Sequence, residues 1–210
     1  MAVISDENLI SLISRVVNVP GDFVEIGVFK GHTFKRLALL AHTLGRKAHA
    51  FDSFEGMAEP TPMDFGHYPE GKLSVGGIRK FKKILFEADI PKSSYKLWPG
   101  FIPHCFEGFD ASVSFAVVDV DQYEPTAVAV DWVWGRISAG GIMVIDDYFR
   151  DREGLASRAI DEWLSRQNPV ETEVFGYVET QLYVKKLYIE PRPFPAHLLD
   201  KKGKASTRQK

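Results

Sequence analysis

Residues 113–147 read VSFAVVDVDQYEPTAVAVDWVWGRISAGGIMVIDD. An apolar run over 113–120 leads into a helical stretch over about 125–137, and a second apolar run follows over 140–147. Neither run alternates polar and apolar residues, which is the mark of strands covered on both faces. Pro125 suits the first turn of the intervening helix, where an N–H has no partner within the helix. Strand, helix and strand therefore form a βαβ unit, the connection that parallel neighbours require. Both strands run out into acids, Asp119 and Asp121 after the first and Asp146-Asp147 after the second.

The same alternation extends in both directions. Leu9, Leu12, Ile13 and Val16 share one face of a helix predicted over 6–17, with Asp6 near its start. FVEIG (23–27) reads as a buried strand, a helix follows over about 32–44 to Gly45, and AHAFD (48–52) is a second strand. The segment from Ser53 to Gly71, rich in Pro, Gly and Asp, is too long for a simple connection. A helix over 75–88 and a strand over 95–98 precede the opening unit; a helix over 153–166 follows it. Strands over 172–178 and 180–187, joined tightly at Val178 and Glu179, predict an antiparallel hairpin. The expected fold is α/β, a doubly wound and mainly parallel sheet ending in that hairpin. Its organisation is a helix within 1–19, one domain over 20–190, and a tail over 191–210 that is first Pro-containing and then basic. Ligands of such sheets sit beyond the carboxyl ends of the strands. Glu25 and Gly27, Asp52, Asp119 and Asp121, and Asp146 and Asp147 all fall there.

Composition narrows the class. The 210 residues are 45% hydrophobic and 26% charged, ordinary for a globular chain. No apolar run approaches the ~18 residues of a membrane span, and MAVISDENLISLISRVV lacks the basic flank of a secretory signal. A cytoplasmic protein with no membrane partner is expected. Cys105 is the one cysteine, so neither an internal disulfide nor a Cys-based zinc site can form. Five of the 26 basic residues lie in 201–210; residues 1–200 carry the other 21 against all 28 acids, a net −7. An acidic body speaks against nucleic acid as a partner.

The first strand leaves as Glu25-Ile26-Gly27-Val28-Phe29-Lys30-Gly31. A dinucleotide fingerprint needs G-x-G-x-x-G, and here Phe29 stands where the middle glycine would admit a pyrophosphate. A Walker loop is also absent. The E-x-G-x-x-x-G that remains leaves room for a ligand without phosphates. Asp52, ending the second strand, offers a carboxylate to a ribose diol. Acid, glycine turn and second acid together suit S-adenosylmethionine (SAM). Phe54 is a candidate to stack on or near its adenine.

Asp121, Asp146 and Asp147 lie at the ends of two strands expected to be neighbours. Three converging carboxylates repel unless they are protonated, solvated or neutralised by a cation. A hard divalent ion such as Mg²⁺ takes an all-oxygen site. Successive strand residues face opposite ways, so Asp146 and Asp147 can both contribute only if the chain turns there. Asp119 is expected to face either the SAM amino acid or the core.

Taken in order, PGDFVEIGVFKGHTF (20–34), AFDSFEGMAEP (50–60), VDVDQYEPT (118–126), GGIMVIDDY (140–148) and RAIDEWL (158–164) resemble the macrocin/mycinamicin (TylF-type) O-methyltransferase family. The resemblance runs from about Pro20 to Lys185. It implies a seven-stranded class I SAM-dependent methyltransferase that modifies hydroxyls of small molecules, sugars of natural products above all. It implies Mg²⁺ on Asp121, Asp146 and Asp147, and SAM contacts from Glu25, Gly27, Gly31, Asp52, Ser53 and Asp119. The loop over 57–72 is individual to this chain, and Pro125 stands where the family more often has Ser.

A base is needed for the hydroxyl proton. His67, in the long loop, and Asp121 are the candidates; His32 and His104 are weaker ones. Trp98, Trp132, Trp134 and Trp163 are expected in the core, as is Cys105. A catechol-type methyltransferase and a non-catalytic SAM-binding or assembly protein are the alternatives. Apolar residues of the first helix and the loops offer a surface for a homodimer.

Overall fold

The computed structural model describes residues 4–64, 69–148 and 155–188. The elements are α1 (Asp6–Ser14), β1 (Asp22–Ile26), α2 (His32–Thr43), β2 (Ala48–Asp52), α3 (Ile78–Glu87), β3 (Tyr95–Pro99), β4 (Val113–Val118), α4 (Tyr123–Trp134), β5 (Ile137–Ile145), α5 (Leu155–Ser165), β6 (Thr172–Val178) and β7 (Gln181–Lys186). The seven strands form one sheet in the order β3-β2-β1-β4-β5-β7-β6. β1 to β5 are parallel, and β7 runs antiparallel to both β5 and β6. The expected architecture is the one the chain adopts. His67 and the tail over 191–210 lie outside the described residues.

Boundaries shift where local chemistry intervenes. α1 ends at Ser14, short of residue 17, because Arg15 and Val16 donate to Leu12 and Ile13 in a tighter i→i−3 pattern. α3 starts only at Ile78, since Gly76 and Gly77 hold φ of 86° and 90°. β5 begins at Ile137, earlier than the glycine pair. Its register jumps from Ile137 opposite Val113 to Ile142 opposite Phe115, a bulge spanning Gly140-Gly141. A Cβ on Gly141 would lie 2.7 Å from the Ile137 side chain and 2.9 Å from the Ser114 carbonyl oxygen.

Two cores clothe the sheet. Leu9, Leu12, Phe34, Leu37, Phe81 and Leu85 of α1 to α3 pack on Phe23, Phe115, Ile142 and Val144. On the other face, Val130, Val133, Ile160 and Trp163 of α4 and α5 pack on Val24, Ile26, Ala116 and Met143. Successive strand residues supply opposite cores, as a doubly wound sheet requires. The tryptophans are core or core-margin residues: Trp163 is fully buried, and Trp132 stacks on Phe106 at 3.9 Å between centroids. Among the described residues no helix is long and apolar enough to cross a membrane.

Candidate active site

The strand order reverses between β1 and β4, so the connections leaving their carboxyl ends diverge and open a cleft. Gly27, Asp52, Ser53, Asp119 and Asp121 line it, with Phe29, Met57, Phe101 and Ile102 as its apolar walls.

Gly27 has φ of 82°, and a Cβ there would lie 1.8 Å from the carbonyl oxygen of Asp119. The glycine is needed because β1 and β4 pass backbone to backbone where the cleft begins. Asp52 knits this turn to β2. Its Oδ2 accepts the N–H groups of Val28 at 2.7 Å and Phe29 at 3.2 Å, and its Oδ1 accepts that of Phe54 at 2.6 Å. A carboxylate has about four acceptor positions, so one is left for a ligand hydroxyl rather than the two a diol would fill. The Ser53 hydroxyl donates to the Gly56 carbonyl and accepts the Glu55 N–H, stabilising the bend that follows.

Two expected cofactor contacts lie elsewhere. Phe54, with φ of 59°, swings into the core and packs on Phe81 at 4.9 Å, leaving the ring 1% exposed. It is therefore a core residue and cannot stack on adenine. Gly31 starts α2 with φ of 70° and faces Phe81, 2.9 Å from where its Cβ would be. Its contribution is to let α2 approach α3, not to line the cleft.

Glu25 is buried beneath the turn, and its Oε2 has no hydrogen-bond partner among the described residues. Burial raises its pKa well above the ordinary 4.5; Arg36 opposes that rise and Asp52 adds to it. A proton held more tightly by the folded than by the unfolded chain contributes stability in full below about pH 4.5. That contribution is lost as pH rises toward the raised value. Glu25→Gln should accordingly raise the melting temperature of the ligand-free chain at pH 7 but hardly at pH 4. A variant no more stable than the parent at pH 7 would contradict this account. The orphaned oxygen fits a ligand that brings an ammonium group.

β4 and β5 are adjacent, with Val118 opposite Ile145, and the turn after each holds an aspartate of left-handed conformation: Asp121 at φ 58° and Asp147 at φ 61°. Aspartate tolerates that region better than most residues. These turns gather ligand atoms of Asp119, Asp121 and Asp147 within 4.8 Å of one another. The trio differs from the one expected. Asp119 belongs to this group, while Asp146 adjoins it: its Oδ1 accepts the Thr180 hydroxyl at 2.7 Å, and its charge is the one that acts most strongly on Asp119. Burial, then Asp146, Asp121, Asp147 and Glu25, push the Asp119 pKa well above the ordinary carboxylate range. So much like charge in one place fits a divalent cation held through oxygen.

The weaker candidates stand apart. His32 is exposed at the start of α2, and His104 is exposed beside Glu107. His49 is buried between Asp22 and the Trp98 indole. Burial pushes the Cys105 thiol up to about 12, which leaves it inert. Sequence reasoning missed Thr180, whose carbonyl also accepts the Tyr148 N–H at 2.8 Å. Only the tightness of the hairpin hinted at it.

Residues 7–175 match the macrocin-O-methyltransferase (TylF) family. A tetracenomycin relative of Streptomyces olivaceus, 8-demethyl-8-(2,3-dimethoxy-alpha-L-rhamnosyl)-tetracenomycin-C 4'-O-methyltransferase, is 31% identical over 144 residues, 63% of this chain and 55% of that protein. Demethyldecarbamoylnovobiocin O-methyltransferase of Streptomyces niveus is 26% identical over 156 residues, 68% of this chain and 59% of that protein. The chain thus spans a little over half the length of these curated relatives. Among solved structures, the O-methyltransferase NovP superposes with a TM-score of 0.71 at 20% identity, covering 87% of this chain and 79% of its own. The calicheamicin methyltransferase CalS11 gives 0.66 at 19% identity, covering 87% and 80%. The fold is that of the class I methyltransferases, and the family match extends over most of its length: this chain belongs to the macrocin O-methyltransferase (TylF) family.

Proposed function

We propose that this chain transfers a methyl group from SAM to a hydroxyl of a small molecule, a sugar or glycosylated metabolite, with a Mg²⁺ ion at the aspartate cluster. The observation that carries this reading is a glycine turn without the dinucleotide pattern at the same cleft as a cluster of three carboxylates, two of which, Asp119 and Asp121, line that cleft. Bound SAM supplies an electrophilic methyl, and a bound divalent cation lowers the pKa of a coordinated hydroxyl by several units.

The protein's own groups have separable tasks. Glu25, buried beneath the turn rather than lining the cleft, would balance the charge of the ligand's ammonium, and Gly27 lets the ligand approach the backbone. Asp52 accepts one ribose hydroxyl. Phe29, Met57, Phe101 and Ile102 exclude water, which strengthens every charge interaction within. Asp119, Asp121 and Asp147 hold the cation, with Asp146 adjoining. The Asp121 oxygen not engaged by the cation would accept the hydroxyl proton, while SAM would supply the methyl group and leave as S-adenosylhomocysteine. Sugar acceptors follow from the family and from the rhamnosyl group in the name of the Streptomyces olivaceus relative.

Titration with S-adenosylhomocysteine tests the cofactor. At 100 times its dissociation constant a ligand adds about 2.7 kcal/mol, which for a chain this long raises the melting temperature by about 5 °C or more. A further rise with Mg²⁺ that EDTA abolishes is expected. No shift at millimolar ligand would remove the methyltransferase reading and leave the fold alone. A panel of sugar and catechol acceptors then separates sugar from catechol chemistry.

A further inference from the structure

We propose that Asp64 is a positioning residue that fixes the turn Asp121–Tyr123 against the opposite cleft wall at Met57-Ala58. Asp64 is fully buried, although it sits in the long connection after β2. Its Oδ2 accepts the N–H and hydroxyl of Thr61, at 2.8 and 3.0 Å. Its Oδ1 reaches 59 residues along the chain to accept the N–H of Tyr123 at 3.0 Å.

Tyr123 is the first residue of α4, and Gln122, the N-cap, provides no side-chain cap of its own. Asp64 therefore caps the helix from a distant segment, satisfying one of the N–H groups that helix starts leave unpaired. Gln122 is buried too, and its Nε2 donates in the reverse direction to the Ala58 carbonyl at 3.1 Å. Two ties of opposite polarity thus join the same two segments. Immediately before them the chain passes through the left-handed Asp121. Met57 and Ala58 on one side, and Val120, Asp121 and Gln122 on the other, all line the cleft. Holding one wall to the other sets both the shape of the cleft and the direction of Asp121.

Amide hydrogen exchange of the full chain provides the test, with S-adenosylhomocysteine affinity as a second readout that alone rests on the proposed function. Two variants are compared. Asp64→Ala removes both acceptors. Asp64→Asn keeps the shape but has a single acceptor oxygen, so it cannot serve Tyr123 and Thr61 together. Exchange at Tyr123 should accelerate about tenfold in Asp64→Ala, with a similar loss of S-adenosylhomocysteine affinity and an intermediate effect in Asp64→Asn. Exchange at Val117, inside β4, should be unchanged. Equal acceleration at Tyr123 and Val117 would reduce Asp64 to a general structural role. Unchanged Tyr123 exchange would overturn the proposal. If Asp64→Ala does not fold, Asp64→Asn decides. If the parent chain does not bind S-adenosylhomocysteine, the methyltransferase reading falls while Tyr123 exchange still judges Asp64.

Discussion

Replacing Asp147 by asparagine should lower methyl transfer by about a thousandfold while leaving S-adenosylhomocysteine affinity within about threefold of the parent, because activation of a hydroxyl by a cation is worth several kcal/mol at 1.4 kcal/mol per decade. Asparagine is chosen over alanine for a conformational reason. Asp147 has φ of 61°, a region asparagine shares and alanine resists, so Asp147→Asn removes charge without forcing the turn. The carbonyl of Asp147, which accepts the Ser157 hydroxyl at 3.3 Å, is untouched by the change. Asp121→Asn should behave alike, since it has the same conformation and belongs to the same 4.8 Å cluster. Measured with Mg²⁺ and again under chelation, the parent should lose its activity to the chelator and the variant should have little left to lose. Full turnover by either variant in chelator would end the case for a metal at these residues.

Gly27→Ala should be the most damaging single substitution to the fold near the cleft. The added Cβ would sit 1.8 Å from the carbonyl oxygen and 2.7 Å from the carbonyl carbon of Asp119, against backbone that is itself fixed, and 3.1 Å from the Val120 side chain. Asp119 donates its N–H to Ile26 at 2.9 Å, so the two strand ends cannot part without losing that bond. A φ of 82° adds the left-handed penalty of about 1–2 kcal/mol for a residue with a Cβ. The sum exceeds about 3 kcal/mol, a melting temperature lowered by about 10 °C for a chain of this length. Thermal denaturation by circular dichroism reads it directly, and S-adenosylhomocysteine binding should vanish as well. A variant melting within two or three degrees of the parent would show that the β1 and β4 ends separate more easily than their contact implies. Gly71 is the control: it too has positive φ, at 74°, but open space around its Cβ position, so alanine there should cost only the conformational penalty.

These two positions also show how far a sequence can be read. The central strands β1, β2, β4 and the second half of β5 were legible because both of their faces are buried, which leaves short apolar runs that no helix period fits. The antiparallel hairpin followed from the tight join at Val178 and Glu179. The gathering of acids was legible for the same topological reason, as adjacent parallel strands end on the same side. Which acids converge was not. Asp146 and Asp147 are consecutive, and the choice between them depends on the left-handed turn at Asp147 and on Thr180, 34 residues away. Phe54 was misread because its backbone reverses locally, sending the ring to Phe81 instead of the cleft. Asp64 gave no signal at all. Its partner Tyr123 lies beyond two intervening strands, and only tertiary structure makes an aspartate in one loop the cap of a helix elsewhere.

The placement of β7 between β5 and β6 has a consequence for the order in which the molecule can be finished. Among the described residues β7 is the last strand in chain order, yet it is an interior one. Until Gln181–Lys186 emerges during synthesis, β5 has an open edge from Ile142 to Ile145, and β6 has no neighbour to pair with. Thr180, at the hairpin tip, is likewise missing from beside Asp146. A nascent chain stopped at residue 178 would therefore carry the glycine turn, the Asp52 brace and most of both cores, but a ragged sheet edge of the kind that recruits other chains. Closure of the sheet therefore waits on β7, the strand that covers the open edges of both β5 and β6.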